Sequence, residues 1–384
     1  METIFPNIFN QPNKVRQKIK ILAFYLPQYH SIPENDAWWG NGFTEWTNVT
    51  KAYPLFAGHL KPNLPSELGL YDLRDPEIRS AQANLAKSYG IDGFIYWHYW
   101  FGNGQQLLEK PFHEVLNTCK PDFPFCLAWA NQSWTGIWHR EPERTLMRQT
   151  YPGDEDILLH FQRFLPAFHD DRYIREDGRP LFIVYQPQDI PERRHFTDLW
   201  NNLAVKNGLD KFFFVGFGPP SWNYHSEGFD ARTEHQPSFY IRLYEQKLSN
   251  KLKGMFKRHL TRIKPFTVDY PSIVREYNRN CFHDPGFIHT LIPNWDNTPR
   301  CGRKGWILHN SSPETFREHF GIVYHDVYRS SGSHKMIFIK SWNELAEGNY
   351  LEPDQLWGRG YLEAIHSVIQ GNRNYESLGH HCNA

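Results

Sequence analysis

PEIRSAQANLAKSYGIDGFIYWH, residues 76–98, contains a helical pattern followed directly by a strand pattern. Asp75 precedes Pro76, so its side chain can accept a free N–H of the first turn, where proline loses no hydrogen bond. The helix predicted over residues 76–89 is amphipathic, whereas residues 93–98 form a short apolar run that is typical of a strand. Alternation of such helices and strands indicates an α/β fold built around a parallel sheet.

The same alternation continues along the chain from Lys18 onward. Strands are predicted at residues 20–26, 93–98, 125–130, 181–185, 212–217, 231–236, 289–292 and 335–339, and the sixth has the weakest pattern. Helices are predicted at residues 76–89, 106–118, 155–168, 191–206, 242–260, 272–280, 313–328 and 360–369. Eight strands, each followed by a helix, predict a (β/α)8 TIM barrel with long decorated βα loops.

The chain reads as one catalytic domain over residues 18–372, with an N-terminal extension at 1–17 and a C-terminal tail at 373–384. A helical insertion is predicted near residues 240–262. Residues 35–73 have no clear strand or helix, are rich in Trp, Gly, Pro and Asn, and follow the first strand. A loop of that length predicts a functional segment at the C-terminal face of the barrel.

The bulk composition excludes several classes of partner. The 384 residues contain 42 Lys+Arg and 42 Asp+Glu, so the chain lacks the cationic field that nucleic acid or anionic lipid requires. The five cysteines lack metal spacing, and the 20 histidines form no HExxH motif, so we predict neither a metal nor another cofactor. No stretch has the length of a signal peptide or a membrane span, which predicts a cytoplasmic protein. The oligomeric state stays open.

The strongest chemical signal is KMIFIKSWNELAEGNYLEPD, residues 335–354, which contains the last predicted strand and an acidic segment after it. If that segment turns helically, Glu344 and Glu347 lie on one face with Cβ atoms about 5–6 Å apart. Glycoside chemistry uses such a pair, because the leaving oxygen needs a proton while the anomeric carbon needs a base-activated nucleophile. Two carboxyl groups this close raise one pKa, so that one stays protonated and the other ionised.

ExxE spacing is also common on solvated helix faces, but its position after the last strand favours the catalytic interpretation. Polar and aromatic residues follow other strands too, and each alone is equally well explained as a core or capping residue. Together they predict an aromatic-lined cleft for sugar hydroxyls. The predicted substrate-binding residues are Tyr25, His30, Glu45, Trp46, Trp97, His98, Tyr99, Trp129, Asn131, Trp134, Gln236, Asn294, Trp295, Asp296, Trp342, Asn343 and Glu352.

Four stretches, residues 26–49, 68–101, 121–135 and 341–354, resemble the WbsX-like proteins of bacterial polysaccharide gene clusters. These are related to glycoside hydrolase family 99, the endo-α-1,2-mannosidases and mannanases, and the similarity covers residues 18–370. The resemblance implies a (β/α)8 fold and a retaining mechanism without an enzyme-bound sugar. It implies that Glu344 is the base for the substrate's 2-hydroxyl and that Glu347 is the acid/base. Leu345 replaces the second Trp of the family's W-N-E-W-x-E motif.

We therefore predict a retaining endo-glycoside hydrolase or transglycosylase that acts on a bacterial polysaccharide or oligosaccharide. The first alternative is a glycosyltransferase of O-antigen or capsule biosynthesis, because the WbsX-like branch carries that label. Against it, Gly-rich nucleotide motifs are missing, and the D-x-D spacing at residues 154–156 opens a helix, where capping and the helix dipole explain it. The second alternative is a non-catalytic polysaccharide-binding barrel.

Overall fold

Eight parallel strands surround the centre of the molecule within residues 18–61, 63–136, 141–245, 265–279, 284–330 and 334–379, which the computed structural model describes. Their order around the sheet is β6-β5-β4-β3-β2-β1-β8-β7. All eight predicted strands are found. The strands are β1 (Lys20–Tyr25), β2 (Gly93–Trp100), β3 (Phe125–Trp129), β4 (Arg179–Val184), β5 (Phe213–Phe217), β6 (Ala231–Thr233), β7 (His289–Leu291) and β8 (Met336–Ile339).

The sheet returns on itself between β6 and β7. Arg232 N donates to Gly286 O at 2.9 Å, and Ile288 N donates to Arg232 O at 2.9 Å. The hydroxyl oxygens of Thr233 and Thr290 lie 2.7 Å apart across the same junction. This short parallel bridge joins the two ends of the sheet and confirms the predicted (β/α)8 barrel.

The helices of the described residues alternate with the barrel strands. They are α1 (Pro33–Trp39), α2 (Glu45–Thr50), α3 (Pro76–Ser88), α4 (Lys110–Thr118), α5 (Asp154–His169), α6 (Arg193–Lys206), α7 (Ser238–Glu245), α8 (Tyr270–Arg279), α9 (Thr298–Cys301), α10 (Pro313–Arg329) and α11 (Gly360–Gly379). Asp75 caps α3 by accepting from Glu77 N at 2.9 Å, as predicted. None of these helices is long and apolar enough to cross a bilayer.

Short strands decorate the loops. Gln106–Leu107 pairs with β2, and Arg175–Glu176 pairs with β4. Three further pairs stand apart from the barrel: Trp134–Gly136 with Glu141–Met147, Phe266–Asp269 with Trp306–His309, and Asn343–Glu344 with Asn349–Tyr350.

The loop after β1 differs from its prediction, because residues 35–73 contain most of α1 and all of α2. Thr44 caps α2 by accepting from Trp46 N at 3.3 Å, and its own N–H donates to the Thr47 hydroxyl at 3.4 Å. Helices of six or seven residues are too short to give a readable periodicity. The predicted insertion lies mostly in residues 246–264, which are outside the described part of the chain, as are residues 1–17.

Side chains alternate between the barrel interior and the helix layer along each strand. Trp97 of β2 points inward and stacks on Phe24, with ring centroids 4.6 Å apart. The next residue, His98, points outward to α5, where its Nε2 lies 2.9 Å from Nε2 of His160. Burial lowers the pKa of His98 to about 3 and that of His160 well below its usual value. Both imidazoles are therefore neutral in the folded protein.

We expect these histidines to make the protein acid-labile. An unfolded histidine has a pKa of about 6.5, so the stability associated with a depressed folded pKa is present above that pH and lost as the pH falls. His98 alone should cost about 3 kcal/mol by pH 4. The midpoint of thermal unfolding, measured from pH 7 to pH 4, should fall less steeply in His98→Leu than in the parent. The matched control is His195→Leu, since His195 is a surface residue paired with Asp154. Equal slopes in all three proteins would contradict the assignment.

Candidate active site

A cavity of about 400 Å³ opens at the carboxyl ends of the barrel strands. Six predicted site residues line it: Glu45, Trp97, Tyr99, Trp134, Glu344 and Glu347. Residues that were not predicted complete much of the wall, among them Gln28, Trp39, Phe43, Tyr185, Arg300 and Lys340. Aromatic rings and charged groups therefore face each other across one space, as the cleft hypothesis requires.

The two glutamates lie on a small hairpin that follows β8. Asn343–Glu344 pairs with Asn349–Tyr350, and Leu345–Glu347 forms one 3₁₀ turn between them. Glu344 thus belongs to a strand and only Glu347 to a helical turn, so the predicted helical face is reduced to that turn. Gly348 closes the hairpin with φ +60°, and a Cβ there would meet Asp296 N at 2.9 Å. We call residues 343–350 the catalytic hairpin, because they carry both candidate catalytic glutamates.

Arg300 of α9 connects three carboxyl groups. Its Nη1 lies 2.6 Å from Glu347 Oε1 and 3.5 Å from Glu344 Oε1, while its Nη2 lies 2.9 Å from Glu45 Oε2. Because Nη1 contacts both members of the pair, those two oxygens can be no more than about 6 Å apart. Glu344 and Glu347 therefore converge, as predicted from their spacing.

Charge balance sets the protonation of this cluster. Among the described residues that line the cavity, Glu45, Glu344 and Glu347 face the cations Arg300 and Lys340. Burial, followed by the charge of Glu347, raises the pKa of Glu344 to about 7. A proton on Glu344 thus neutralises the excess negative charge near neutral pH.

Lys340 brings the second positive charge to the cavity from the end of β8. Burial opposes its charge, but the carboxylates, above all that of Glu344, hold its pKa above the usual value. Its Nζ lies 5.3 Å from the centroid of the Trp295 ring, where the face of the indole stabilises a cation. Lys340 therefore presents an ammonium group to any ligand in the cavity.

Tyr29 fixes the backbone on both sides of Glu344. Its hydroxyl donates to Asn343 O at 2.5 Å and accepts from Leu345 N at 3.1 Å. The Asn343 amide in turn accepts from Leu26 N at 2.8 Å and donates to Leu26 O at 3.0 Å. Leu26 and Tyr29, which follow β1, thereby hold the catalytic hairpin in place. The predicted residue Asn343 supports the hairpin and does not line the cavity.

We expect Tyr29→Phe to lower kcat by about 10-fold to 10²-fold with a smaller change in KM, because small displacements of reacting groups are costly. The variant leaves Leu345 N without its buried acceptor, which should cost about 1–3 kcal/mol of stability. Tyr173→Phe is the matched control, since Tyr173 is equally buried and its hydroxyl donates to Leu181 O at 2.9 Å. If both variants lose stability and turnover in equal measure, Tyr29 has no special positioning role.

Comparison with known proteins identifies the family. Residues 21–365 match the family described as Glycosyltransferase WbsX. The chain belongs to the WbsX family. Two relatives, each named Uncharacterized protein WxcX and found in two strains of Xanthomonas campestris pv. campestris, are 35% identical over 357 residues, which is 91% of this chain. The alignment covers 49% of each relative, so the chain spans about half the length of the curated relatives it matches.

Two solved structures are similar to this chain over nearly its whole length. A glycoside hydrolase-like protein superposes with a TM-score of 0.55 and 14% identity, covering 96% of this chain and 97% of that one. The GH99 endo-alpha-mannosidase from Bacteroides thetaiotaomicron gives a TM-score of 0.53 and 14% identity, with coverages of 94% and 98%. The WbsX-family chain thus has a fold similar to that of these two proteins.

Thirteen predicted site residues do not line the cavity, and Asn343 is one of them. Strand alternation directs Tyr25, His98 and Trp129 toward the helices, so Tyr25 OH donates to Gln82 and Trp129 Nε1 to Trp100 O. The others make contacts elsewhere in the protein. Backbone oxygens bind four of them: His30 contacts Pro27 O, Trp46 donates to Tyr71 O, Asn131 donates to Gln186 O, and Gln236 donates to Thr290 O. Trp295 stacks on Trp306, Trp342 is buried in the core, and Glu352 accepts from Gln82 and Tyr71. Asn294 and Asp296 line a second cavity.

Sequence reasoning missed both cations of the site. Arg300 belongs to a helix of four residues in a loop, and its partner Glu45 is 255 residues away in the chain. Lys340 directly follows the last residue of β8, a position that faces the active-site end of the barrel. The charge of the predicted site was a signal for these two cations, since three carboxylates in one cleft require positive charges nearby.

Within the described ranges, no group of three or more His, Cys, Asp or Glu is arranged to hold a metal ion.

Proposed function

We propose that this WbsX-family protein is a retaining endo-glycoside hydrolase or transglycosylase that acts on a polysaccharide or oligosaccharide through Glu344 and Glu347. The observation that carries the proposal is the convergence of two buried glutamates on one nitrogen of Arg300 in an aromatic-lined cavity. General acid–base chemistry at a glycosidic bond needs one carboxyl group of each protonation state.

The separation of the pair favours retention of configuration. Carboxyl groups lie about 5–5.5 Å apart in retaining enzymes and about 6.5–9.5 Å apart in inverting enzymes, which need room for a water molecule. Contact of Glu344 and Glu347 with the same Arg300 nitrogen keeps their oxygens within about 6 Å of each other. This upper limit lies below the separation that is usual for inverting enzymes.

In the first step, the oxygen of the substrate's 2-hydroxyl bonds to the anomeric carbon, and Glu344 takes the hydroxyl proton. The bond between the anomeric carbon and the leaving oxygen breaks, and Glu347 gives that oxygen a proton. The product is a 1,2-anhydro sugar. In the second step, Glu347 takes a proton from water, whose oxygen bonds to the anomeric carbon, while that carbon's bond to O2 breaks and Glu344 returns its proton to O2. A sugar hydroxyl in place of water gives transglycosylation.

The free protein carries the proton on Glu344, whose pKa is raised to about 7, whereas the reaction needs it on Glu347. Both side chains contact Arg300 Nη1, so the proton has only a short distance to move between them. Arg300, 2.6 Å from Glu347 Oε1, opposes the transfer in the free protein, so substrate must shift the balance. A glycosidic oxygen that accepts a hydrogen bond from protonated Glu347 supplies that shift.

Cavity chemistry supports a sugar substrate. Trp39, Trp97 and Trp134 offer flat rings to the apolar faces of sugars, and Gln28 and Gln132 offer amides to hydroxyl groups. Leu345, which replaces a Trp of the related motif, is buried in the core and does not line the cavity. The presence of Leu instead of Trp at position 345 therefore does not change the aromatic rings that line the cavity. The likeness to an endo-alpha-mannosidase makes α-mannosides the first substrates to test.

The family's own description favours a second candidate, a glycosyltransferase. A nucleotide-sugar donor needs groups that bind its diphosphate. Arg300 is engaged by carboxylates, and the D-x-D residues have structural partners, since Asp154 pairs with His195 and Asp156 accepts from Trp100. Hydrolysis or transglycosylation is the better match to these groups.

Product analysis in ¹⁸O-labelled water separates the two. We expect the protein to cleave α-1,2-linked manno-oligosaccharides or a bacterial surface polysaccharide, with retained configuration and the label only at the new reducing end. Thermal unfolding should be delayed by the oligosaccharide and unaffected by UDP- or GDP-sugars with Mg²⁺ or Mn²⁺. Stabilisation by a nucleotide sugar, together with sugar transfer to an acceptor, would establish the transferase instead.

A further inference from the structure

A second cavity of about 410 Å³ lies on the other side of the catalytic hairpin. Asp296, predicted as a substrate contact, lines this cavity, and its backbone N–H donates to Glu347 O at 2.7 Å. Tyr350 of the hairpin lines the same space, while Glu344 and Glu347 line the catalytic cavity. One hairpin therefore forms the wall between the two cavities.

The acidic groups of the second cavity already have partners within the protein. Asp296 Oδ2 lies 2.7 Å from His59 Nε2, and its Oδ1 accepts from the Thr298 hydroxyl at 2.6 Å. Asp354 accepts from Tyr350 OH at 2.6 Å and from Leu356 N at 2.9 Å. These carboxylates form part of the wall and do not make an open cation site.

The remaining lining groups suit a neutral, hydroxyl-rich ligand. Asn63, Asn294 and Asn310 contribute amides. Trp295 N donates to Asn294 Oδ1 and Asn310 Nδ2 donates to Asp269, but an amide has further donor and acceptor capacity for hydroxyl groups. Trp357 contributes an aromatic ring, and the neighbouring Leu356 leaves 51% of its surface exposed at the rim. No Lys or Arg is among the described residues that line the cavity, and the side chain of Lys61 is buried with its Nζ 3.4 Å from Asp296 Oδ2, so the wall offers no Lys or Arg charge to a strong anion.

We propose that the second cavity binds neutral sugar units of the polysaccharide, outside the position of bond cleavage. This inference rests on the proposed function and deepens it, because it makes a polymer the preferred substrate over a short oligosaccharide. Binding on both sides of the catalytic hairpin would raise affinity through linked contacts, as in any bivalent interaction. A sugar chain held there also contacts the hairpin that carries the reacting glutamates.

Native affinity electrophoresis tests the proposal with the full chain. Gels are cast with neutral polymers, namely α-mannan, dextran and galactan, and with alginate as an anionic comparison. We expect retardation by at least one neutral polymer and none by alginate. Leu356→Ala and Trp357→Ala should reduce that retardation at least 5-fold. Val205→Ala is the matched control, because Val205 on α6 is an apolar residue with 56% exposure that lines neither cavity.

Leu356→Ala distinguishes loss of binding from loss of folding, because this exposed side chain contributes little to the core. The second site would be overturned if both cavity variants were retarded as strongly as Val205→Ala. It would also be overturned if no neutral gel retarded the protein. Glu347→Gln should be retarded as strongly as the parent, since it changes only the catalytic cavity. If Glu347→Gln is retarded but no cleavage product forms with the parent, the proposed hydrolysis fails while the second binding site stands.

Discussion

Replacing Glu347 with glutamine should lower the turnover of an oligosaccharide by about 10²-fold to 10⁴-fold, the usual contribution of a general acid or base. Glutamine keeps the size and an oxygen that can accept from Arg300 Nη1, but it cannot give a proton to the leaving oxygen. The loss should be smallest for an aryl glycoside with an acidic phenol, because such a leaving group departs without protonation. Initial rates with the two substrates provide the measurement.

Glu344→Gln should behave differently, because the proposed base is needed whatever the leaving group. Its turnover should fall by about 10²-fold to 10⁴-fold with both the oligosaccharide and the aryl glycoside. Glu227→Gln is the matched control, since Glu227 is ion-paired with Arg193 outside the cavity. If the aryl glycoside rescues Glu344→Gln and not Glu347→Gln, the two roles are exchanged. If neither substitution changes turnover, the catalytic proposal is wrong.

The barrel could be predicted because its strands are buried on both faces. Parallel strands covered by helices have nearly continuous apolar sequences, such as residues 336–339, and these runs are unlike the amphipathic helices around them. The exceptions are β6 and β7, with the sequences Ala-Arg-Thr and His-Thr-Leu, and β6 had the weakest pattern of the eight predicted strands. The two short helices after β1 were missed because their stability comes from local caps and tertiary contacts rather than from periodicity.

The candidate site was predicted in part, and strand geometry explains the difference. Trp97 and Tyr99 are two residues apart on β2 and both line the cavity, while His98 between them faces α5. Alternation with a period of two was available in the sequence and would have separated them. The contacts of Arg300 with Glu45 and Glu344 were not available, because they join loops that are distant along the chain.

The same contacts predict a large effect on stability. Arg300→Met should destabilise the protein by about 3–5 kcal/mol at pH 7.5, the usual result of removing one partner from a buried ion pair. Methionine fills much of the space but leaves the three carboxyl groups with Lys340 as the remaining cation on the described wall. Urea unfolding at fixed temperature gives the free energy of unfolding for variant and parent.

The pH dependence of this loss distinguishes charge from packing. Without the guanidinium, which lowers the pKa of Glu344, the folded pKa of Glu344 rises further above the unfolded value of about 4.3. A group with a raised folded pKa contributes stability that is present below its unfolded pKa and is lost as the pH rises through the folded value. The difference between Arg300→Met and the parent should therefore be largest at pH 8.5 and shrink toward pH 5. Arg194→Met, which removes an exposed ion pair with Asp198, should show no such trend. A loss for Arg300→Met that is constant from pH 5 to pH 8.5 would mean that the side chain acts through packing alone, and the charge balance that places one proton on the glutamate pair would be wrong.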